Sequence, residues 1–79
     1  MKVQLKYFAS MRESCGKTEE VLETEAQTID EIFKEVKEKY SLPIEKDILK
    51  VALNESYVPF ESSFKEMDTI VFIPPVAGG

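Results

Sequence analysis

The chain of 79 residues contains no histidine, no tryptophan and a single cysteine, Cys15. Without a histidine or a second cysteine it lacks the side chains that hold most zinc ions, and it cannot close an internal disulfide. Histidine is also the commonest general acid and base near neutral pH. We therefore expect little catalysis by this chain alone, no metal site and no bound cofactor.

Long apolar segments and basic clusters are absent as well. No apolar run approaches the ~20 residues that cross a membrane, and residues 1–6 alternate apolar and polar types, unlike a signal peptide. Ten Lys and Arg residues against fifteen Asp and Glu residues give a net charge of −5. Because nucleic-acid binding usually needs a clustered basic face, we expect a soluble cytoplasmic protein with no nucleic-acid or membrane partner.

Glycine is scarce, and two of the three glycines, Gly78 and Gly79, end the chain. At average glycine usage such an ending arises by chance in roughly one chain in two hundred. Pro74 and Pro75 precede it. Each proline fixes φ and lacks an N–H, so the pair should end sheet pairing and extend the chain. We predict a domain over residues 1–73 and a projecting tail over residues 74–79 that offers the Gly79 carboxylate to another protein.

Residue periodicity predicts several strands. Apolar and polar residues alternate over residues 2–8, a short helical turn follows at residues 9–16, and a second strand is expected near residues 18–24. Further strands are expected over residues 48–53, at Tyr57-Val58 and over residues 69–73. Pro59 should keep the Tyr57-Val58 strand at an edge of the sheet.

One long helix is expected to begin at a capping box formed by Thr28 and Glu31. Apolar residues then recur on one helical face: Ile29, Ile32, Phe33, Val36 and Tyr40. Charged residues outside that face form i,i+4 pairs, Asp30 with Lys34 and Glu35 with Lys39. We interpret these pairs as a solvated face without chemistry, and we expect the helix to end before Pro43.

This order of elements predicts an α+β fold with one helix on a mixed sheet of four or five strands. A helix of about twelve residues is about 18 Å long, roughly the width of four or five strands spaced ~4.8 Å apart. One helix therefore covers one face only. The side chains expected beneath it are Val3, Leu5, Tyr7, Val51, Leu53, Ile70 and Phe72.

The other face of the sheet receives the opposite parity of each strand. It should present Phe8, Ala52, Val71 and Ile73, with Tyr57 from the edge strand. Such an exposed apolar patch, near the start of the tail, usually marks an interface. The alternative is that Met11 and Phe60 fold over the patch and cover it.

Two segments resemble the small subunit of molybdopterin synthase: FASMRESCG at residues 8–16 and FIPPVAGG at residues 72–79. The resemblance covers the whole chain in length and element order, and it implies a ubiquitin-like β-grasp fold. One departure lies in the turn before the last strand, where such proteins commonly carry Asp-Gly-Asp. This chain has Glu66-Met67-Asp68 there, so a positive φ at Met67 would be costly.

The resemblance implies a sulfur carrier. A ubiquitin-activating-like adenylyltransferase would use ATP to convert the Gly79 carboxylate to an acyl-adenylate, which becomes a thiocarboxylate. The large synthase subunit would take up the tail, in an assembly of two small and two large subunits, and sulfur would pass to the pterin precursor of the molybdenum cofactor. The chain would then donate sulfur without being an enzyme itself. Gly78 and Gly79 would form the reactive end, and the implied partner-binding residues are Phe8, Arg12, Tyr57, Ile73, Pro74, Pro75, Val76 and Ala77.

Other interpretations stay open. The same tail could donate sulfur to thiamine, cysteine or tRNA synthesis, or join lysines as a protein modifier, or be an inert end of an interaction module. Arg12 could pair with an acidic group of a partner or with a carboxylate of its own chain such as Glu13. A redox or catalytic role for Cys15 is disfavoured, because no histidine is present to activate it.

Overall fold

The computed structural model describes residues 1–75. Its helices are α1 (Ser10–Cys15) and α2 (Ile29–Tyr40), with a short 3₁₀ turn at Lys46–Ile48. The strands are β1 (Lys2–Tyr7), β2 (Glu19–Glu23), β3 (Lys50–Leu53), β4 (Ser56–Tyr57) and β5 (Thr69–Ile73). The predictions for Val76, Ala77, Gly78 and Gly79 lie outside the described residues.

The five strands form one mixed sheet in the order β2-β1-β5-β3-β4. All neighbours are antiparallel except β1 and β5, which are parallel, with Leu5 beside Ile70 and Tyr7 beside Phe72. Because two parallel strands end at the same edge of a sheet, the residues that follow β1 and those that follow β5 leave together. This pairing places Phe8 beside the start of the tail.

Helix α2 begins at the predicted capping box. The Thr28 hydroxyl accepts a hydrogen bond from the Glu31 N–H at 3.3 Å, and the Glu31 carboxylate accepts one from the Thr28 N–H at 3.1 Å. These bonds satisfy N–H groups that the first turn of a helix leaves unpaired. At the other end Ser41 adopts the left-handed conformation, and the Lys37 ammonium donates to the carbonyls of Leu42 and Ile44.

One of the two predicted ion pairs on α2 is wrong. Asp30 pairs with Lys34 at 3.3 Å as expected. Lys39 instead reaches Glu20 on β2, at 3.1 Å, while Glu35 accepts a hydrogen bond from the buried Thr24 hydroxyl at 2.8 Å. Exposed i,i+4 pairs are weak, so partners supplied by the neighbouring strand and loop replace them.

The core lies between α2 and one face of the sheet. The predicted inward residues are all buried except Leu53, which is partly buried and packs against the core. Phe33 of α2 packs on Phe72 of β5, with ring centroids 5.7 Å apart. Met11 and Cys15 of α1 close one end of the same cluster.

Strands β1 and β2 match the prediction to within one residue at each end, whereas β3 and β4 differ from it for local structural reasons. The third strand starts at Lys50, not at residue 48, because residues 46–48 form a 3₁₀ turn in which the Leu49 N–H bonds to the Lys46 carbonyl. The edge strand is Ser56–Tyr57, not Tyr57-Val58. Asn54 and Glu55, both with positive φ, form the two-residue turn that joins β3 to β4. Pairing therefore begins directly at Ser56.

Candidate docking surface at the root of the tail

The open face of the sheet carries a shallow concavity, which we call the apolar depression. It is lined by Phe8, Ala52, Glu55, Tyr57, Val71 and Ile73. The structure thus brings together the four residues that strand alternation sends outward and Tyr57 of the edge strand β4. Phe8 is 44% exposed and Tyr57 is 73% exposed, which is unusual for aromatic side chains. An open apolar surface of this kind is typical of a site that a partner covers.

A second concavity, the root groove, adjoins the first. It is lined by Phe8, Ala9, Ser10, Arg12, Glu13, Ile73, Pro74 and Pro75. Phe8 and Ile73 line both concavities, so they join the apolar depression to the start of the tail. Pro74 is buried and Pro75 is exposed.

A tight turn aims Phe8 and Arg12 at this surface. Ala9 has φ 50° and ψ −126°, and the Met11 N–H bonds to the Phe8 carbonyl at 3.0 Å. This turn ends β1 and starts α1, and α1 then places Arg12 on the rim of the root groove. A positive φ is disfavoured for alanine, so the surrounding structure imposes the turn.

The alternative in which Met11 and Phe60 cover the patch is wrong. Met11 is only 1% exposed and belongs to the core beneath α2. Phe60 packs edge-on against Phe33, with ring centroids 5.9 Å apart, on that same helical side. Ala52 also departs from the prediction because it is only 7% exposed. Its small side chain forms the floor of the apolar depression, between Tyr57 and Val71 in the sheet.

Arg12 is exposed and makes no ion pair with any carboxylate in residues 1–75. The pairing with Glu13 that the sequence left open is therefore not formed. Sequence reasoning missed Glu55, which within residues 1–75 is the one charged residue lining the apolar depression. Its signal was the turn Asn54-Glu55-Ser56, whose glutamate stands where hairpins favour glycine.

Cys15 lies away from this surface and is buried. Burial, and then the nearby negative charge of Glu20, raise the pKa of the Cys15 thiol to about 11. The thiol is therefore protonated near neutral pH, and since the thiolate is the nucleophile, a catalytic role is disfavoured further.

Among the described residues no group of three His, Cys, Asp or Glu side chains could hold a metal ion. Over the same residues, no helix has the length and apolar character that a membrane crossing requires.

A five-stranded mixed sheet with a central parallel pair and one main helix on one face is the ubiquitin-like β-grasp fold. Residues 5–79 match the ThiS family, and the chain belongs to this family. It is 38% identical over 76 residues to the molybdopterin synthase sulfur carrier subunit of Haemophilus influenzae, covering 92% of this chain and 94% of that protein.

Two solved structures have the same fold as this chain. A putative molybdopterin converting factor subunit 1 from Pyrococcus furiosus is 30% identical and superposes with a TM-score of 0.78, over 96% of this chain and 99% of that one. A chain of the Helicobacter pylori complex of subunits 1 and 2 of molybdopterin-converting factor shares the fold. It has 24% identity and a TM-score of 0.71, over 100% of both chains.

Proposed function

We propose that this protein is the sulfur carrier subunit of a molybdopterin synthase and that Gly79 carries the sulfur as a thiocarboxylate. The observation that carries the proposal is that Phe8 and Ile73 line both the apolar depression and the root groove. A partner seated on this surface would receive the tail at the same time. The full-length similarity to the Haemophilus influenzae sulfur carrier subunit supports this use of the surface.

The proposed chemistry begins at the Gly79 carboxylate. A carboxylate is a poor electrophile until one oxygen becomes a good leaving group. An activating adenylyltransferase would let this carboxylate attack the α-phosphorus of ATP, with loss of pyrophosphate. A sulfur nucleophile would then attack the acyl carbon and AMP would leave. Glycine suits this step because it has no Cβ to shield the carbonyl carbon.

The catalytic acids and bases of these steps belong, in this proposal, to the partners. The chain has no histidine, and its cysteine is buried. We propose that the large synthase subunit binds Phe8, Arg12, Tyr57 and Ile73 and takes the tail, residues 74–79, into its active site. Two carriers and two large subunits would form the assembly, and each thiocarboxylate would give one sulfur to the pterin precursor.

The test compares the wild-type chain with the variants Gly79→Ala and Glu38→Ala. Each is incubated with the activating enzyme, ATP and a sulfur donor, and its intact mass is measured. We expect wild type and Glu38→Ala, whose change lies on the exposed side of α2, to gain the mass difference between sulfur and oxygen. Gly79→Ala should keep its thermal stability while thiocarboxylate formation falls sharply. Normal thiocarboxylate formation in Gly79→Ala would contradict the mechanism.

The same preparation separates the proposed function from the other uses of such a tail. The thiocarboxylate form, mixed with the large synthase subunit and the pterin precursor, should lose its sulfur and return to the carboxylate mass. A ladder of covalent conjugates on a blot, without such transfer, would instead identify a protein modifier.

A further inference from the structure

Glu55 occupies the end of the apolar depression that is remote from the tail. It lies in the turn between β3 and β4, beside Thr69 at the start of β5, because the Asn54 N–H bonds to the Thr69 carbonyl at 2.9 Å. The other end of β5 is Ile73, directly before Pro74 and Pro75 at the root of the predicted tail. Five residues of strand separate these ends by about 13 Å. The depression therefore has a carboxylate at one end and the tail root at the other.

The backbone at Glu55 is strained for a glutamate. Asn54 has φ 49° and Glu55 has φ 74°, and a two-residue hairpin turn with two positive φ values favours Asn-Gly. Glutamate at this position costs stability relative to glycine. No ion pair to another described residue offsets that cost, and the side chain is exposed. Strain of this kind concentrates at functional positions.

Other charged residues of the open face lie at both ends of the sheet. Lys2 and Glu23 are neighbours at the end remote from the tail, and Glu19 is beside Lys6. Lys6 is beside Val71 and Lys50 is beside Ile73 in the sheet register, and both are exposed. Arg12 lines the root groove, together with Glu13. Around the tail root Lys6, Lys50 and Arg12 outnumber Glu13 and Glu19. Glu55 places a negative charge at the remote end of the apolar depression. A partner fits this surface in one orientation if it places negative charge against the tail root and positive charge against Glu55.

We propose that Glu55 is a specificity-determining residue of the docking surface, which pairs with a lysine or arginine of the large synthase subunit while an apolar side chain of that subunit fills the depression. The proposal rests on the proposed function, because it assigns the partner named there. Glu55 fixes the orientation of the partner so that the partner's active site receives the tail. Charged groups at the rim of an interface act mainly on the association rate and on the choice of partner.

The experiment measures the association rate and the Kd of the wild-type chain with the large synthase subunit of the same organism, at low and at high salt. Glu55→Gln removes the charge and Glu55→Lys reverses it. Glu38→Lys is the matched control, because it changes the net charge by the same amount from the exposed side of α2, away from the open face of the sheet. Circular dichroism and thermal melts check that all variants are folded.

We expect Glu55→Gln to weaken binding by about two- to fivefold, the range of exposed ion pairs. Glu55→Lys should weaken it by about tenfold or more, mainly through a slower association rate, since attraction becomes repulsion. Both effects should shrink at high salt. If Glu55→Lys binds as Glu38→Lys does, the role of Glu55 is refuted and the proposed function stands. If the wild-type chain does not bind the large subunit at all, the proposed function fails and this inference fails with it.

Discussion

Met67 offers a sharp test of the turn that precedes β5, because its backbone conformation is one that glycine favours. Its φ is 63°. The Met67 N–H bonds to the Lys2 carbonyl at 2.6 Å, while the Asp68 N–H bonds to the Lys65 carbonyl at 3.0 Å. The Asp68 carboxylate also accepts from the Lys65 N–H at 2.8 Å. These bonds hold the turn that leads into β5, and they hold Met67 in the left-handed conformation that the sequence marks as costly.

The magnitude follows from two opposing backbone contributions. The left-handed conformation costs a residue with a Cβ about 1–2 kcal/mol, and the extra freedom of glycine in the unfolded chain offsets about 0.5–1 kcal/mol of the gain from removing that Cβ. Met67 is 49% exposed, so its side chain contributes contacts as well. Both Met67→Gly and Met67→Ala lack those side-chain contacts, so the difference between the two variants reports the backbone contribution. We expect Met67→Gly to exceed Met67→Ala in free energy of unfolding by about 0.5–1 kcal/mol.

The assay is urea unfolding at constant pH, with the m-value required to agree between the two variants. In a thermal melt the difference corresponds to about 2–8 °C, since about 1 kcal/mol shifts the Tm of a domain of this size by about 4–8 °C. In wild type, a strong intraresidue amide-to-α proton NOE at Met67 would report the positive φ directly. If Met67→Ala is as stable as Met67→Gly, the turn does not have the described conformation and the reasoning is refuted.

Two further predictions concern stability. Partial burial raises the pKa of Glu20, but hydrogen bonds from Tyr7, Tyr40 and Lys39 outweigh it and lower the pKa below its ordinary value of 4.5. The folded state is therefore stabilised above that pH and loses this contribution as the pH falls through the lowered pKa. Glu20→Gln should flatten the acid limb of unfolding free energy against pH, and an unchanged limb would contradict the assignment. Thr28→Ala should lower the free energy of unfolding by about 1 kcal/mol. Thr18→Ala, an exposed threonine with no cap role, serves as its control in the same urea titration.

The elements that the sequence predicted well are those defined by local patterns. The capping box at Thr28 and Glu31 is formed within one turn of helix, and the alternation of β1 separates Leu5 from Lys6 by strand geometry alone. The start of β3 was less predictable, because the apolar Ile48 suits a strand but lies in a 3₁₀ turn. The pairing of Lys39 was also missed, because its partner Glu20 lies on another element.

The docking surface likewise combines features that local patterns predict with features that depend on contacts between separate elements. Strand alternation predicted that Phe8 and Ile73 face the open side of the sheet, and they do. The reactive end expected at Gly78 and Gly79 lies outside the described residues and stays a prediction. The sequence did not reveal Glu55 as part of the surface, because that side chain reaches the depression only through the pairing of β3 with β5 and β4.

Local sequence patterns were sufficient to predict the helix start, the inward and outward faces of the strands and the place where sheet pairing ends. These follow from hydrogen bonds and side-chain periods that span a few residues. The parallel pairing of β1 with β5, in contrast, is seen only in the folded chain. That pairing joins residues near opposite ends of the chain, so no local pattern specifies it. The parallel pairing places Phe8 beside Ile73. The apolar depression and the root of the tail thereby form one continuous surface.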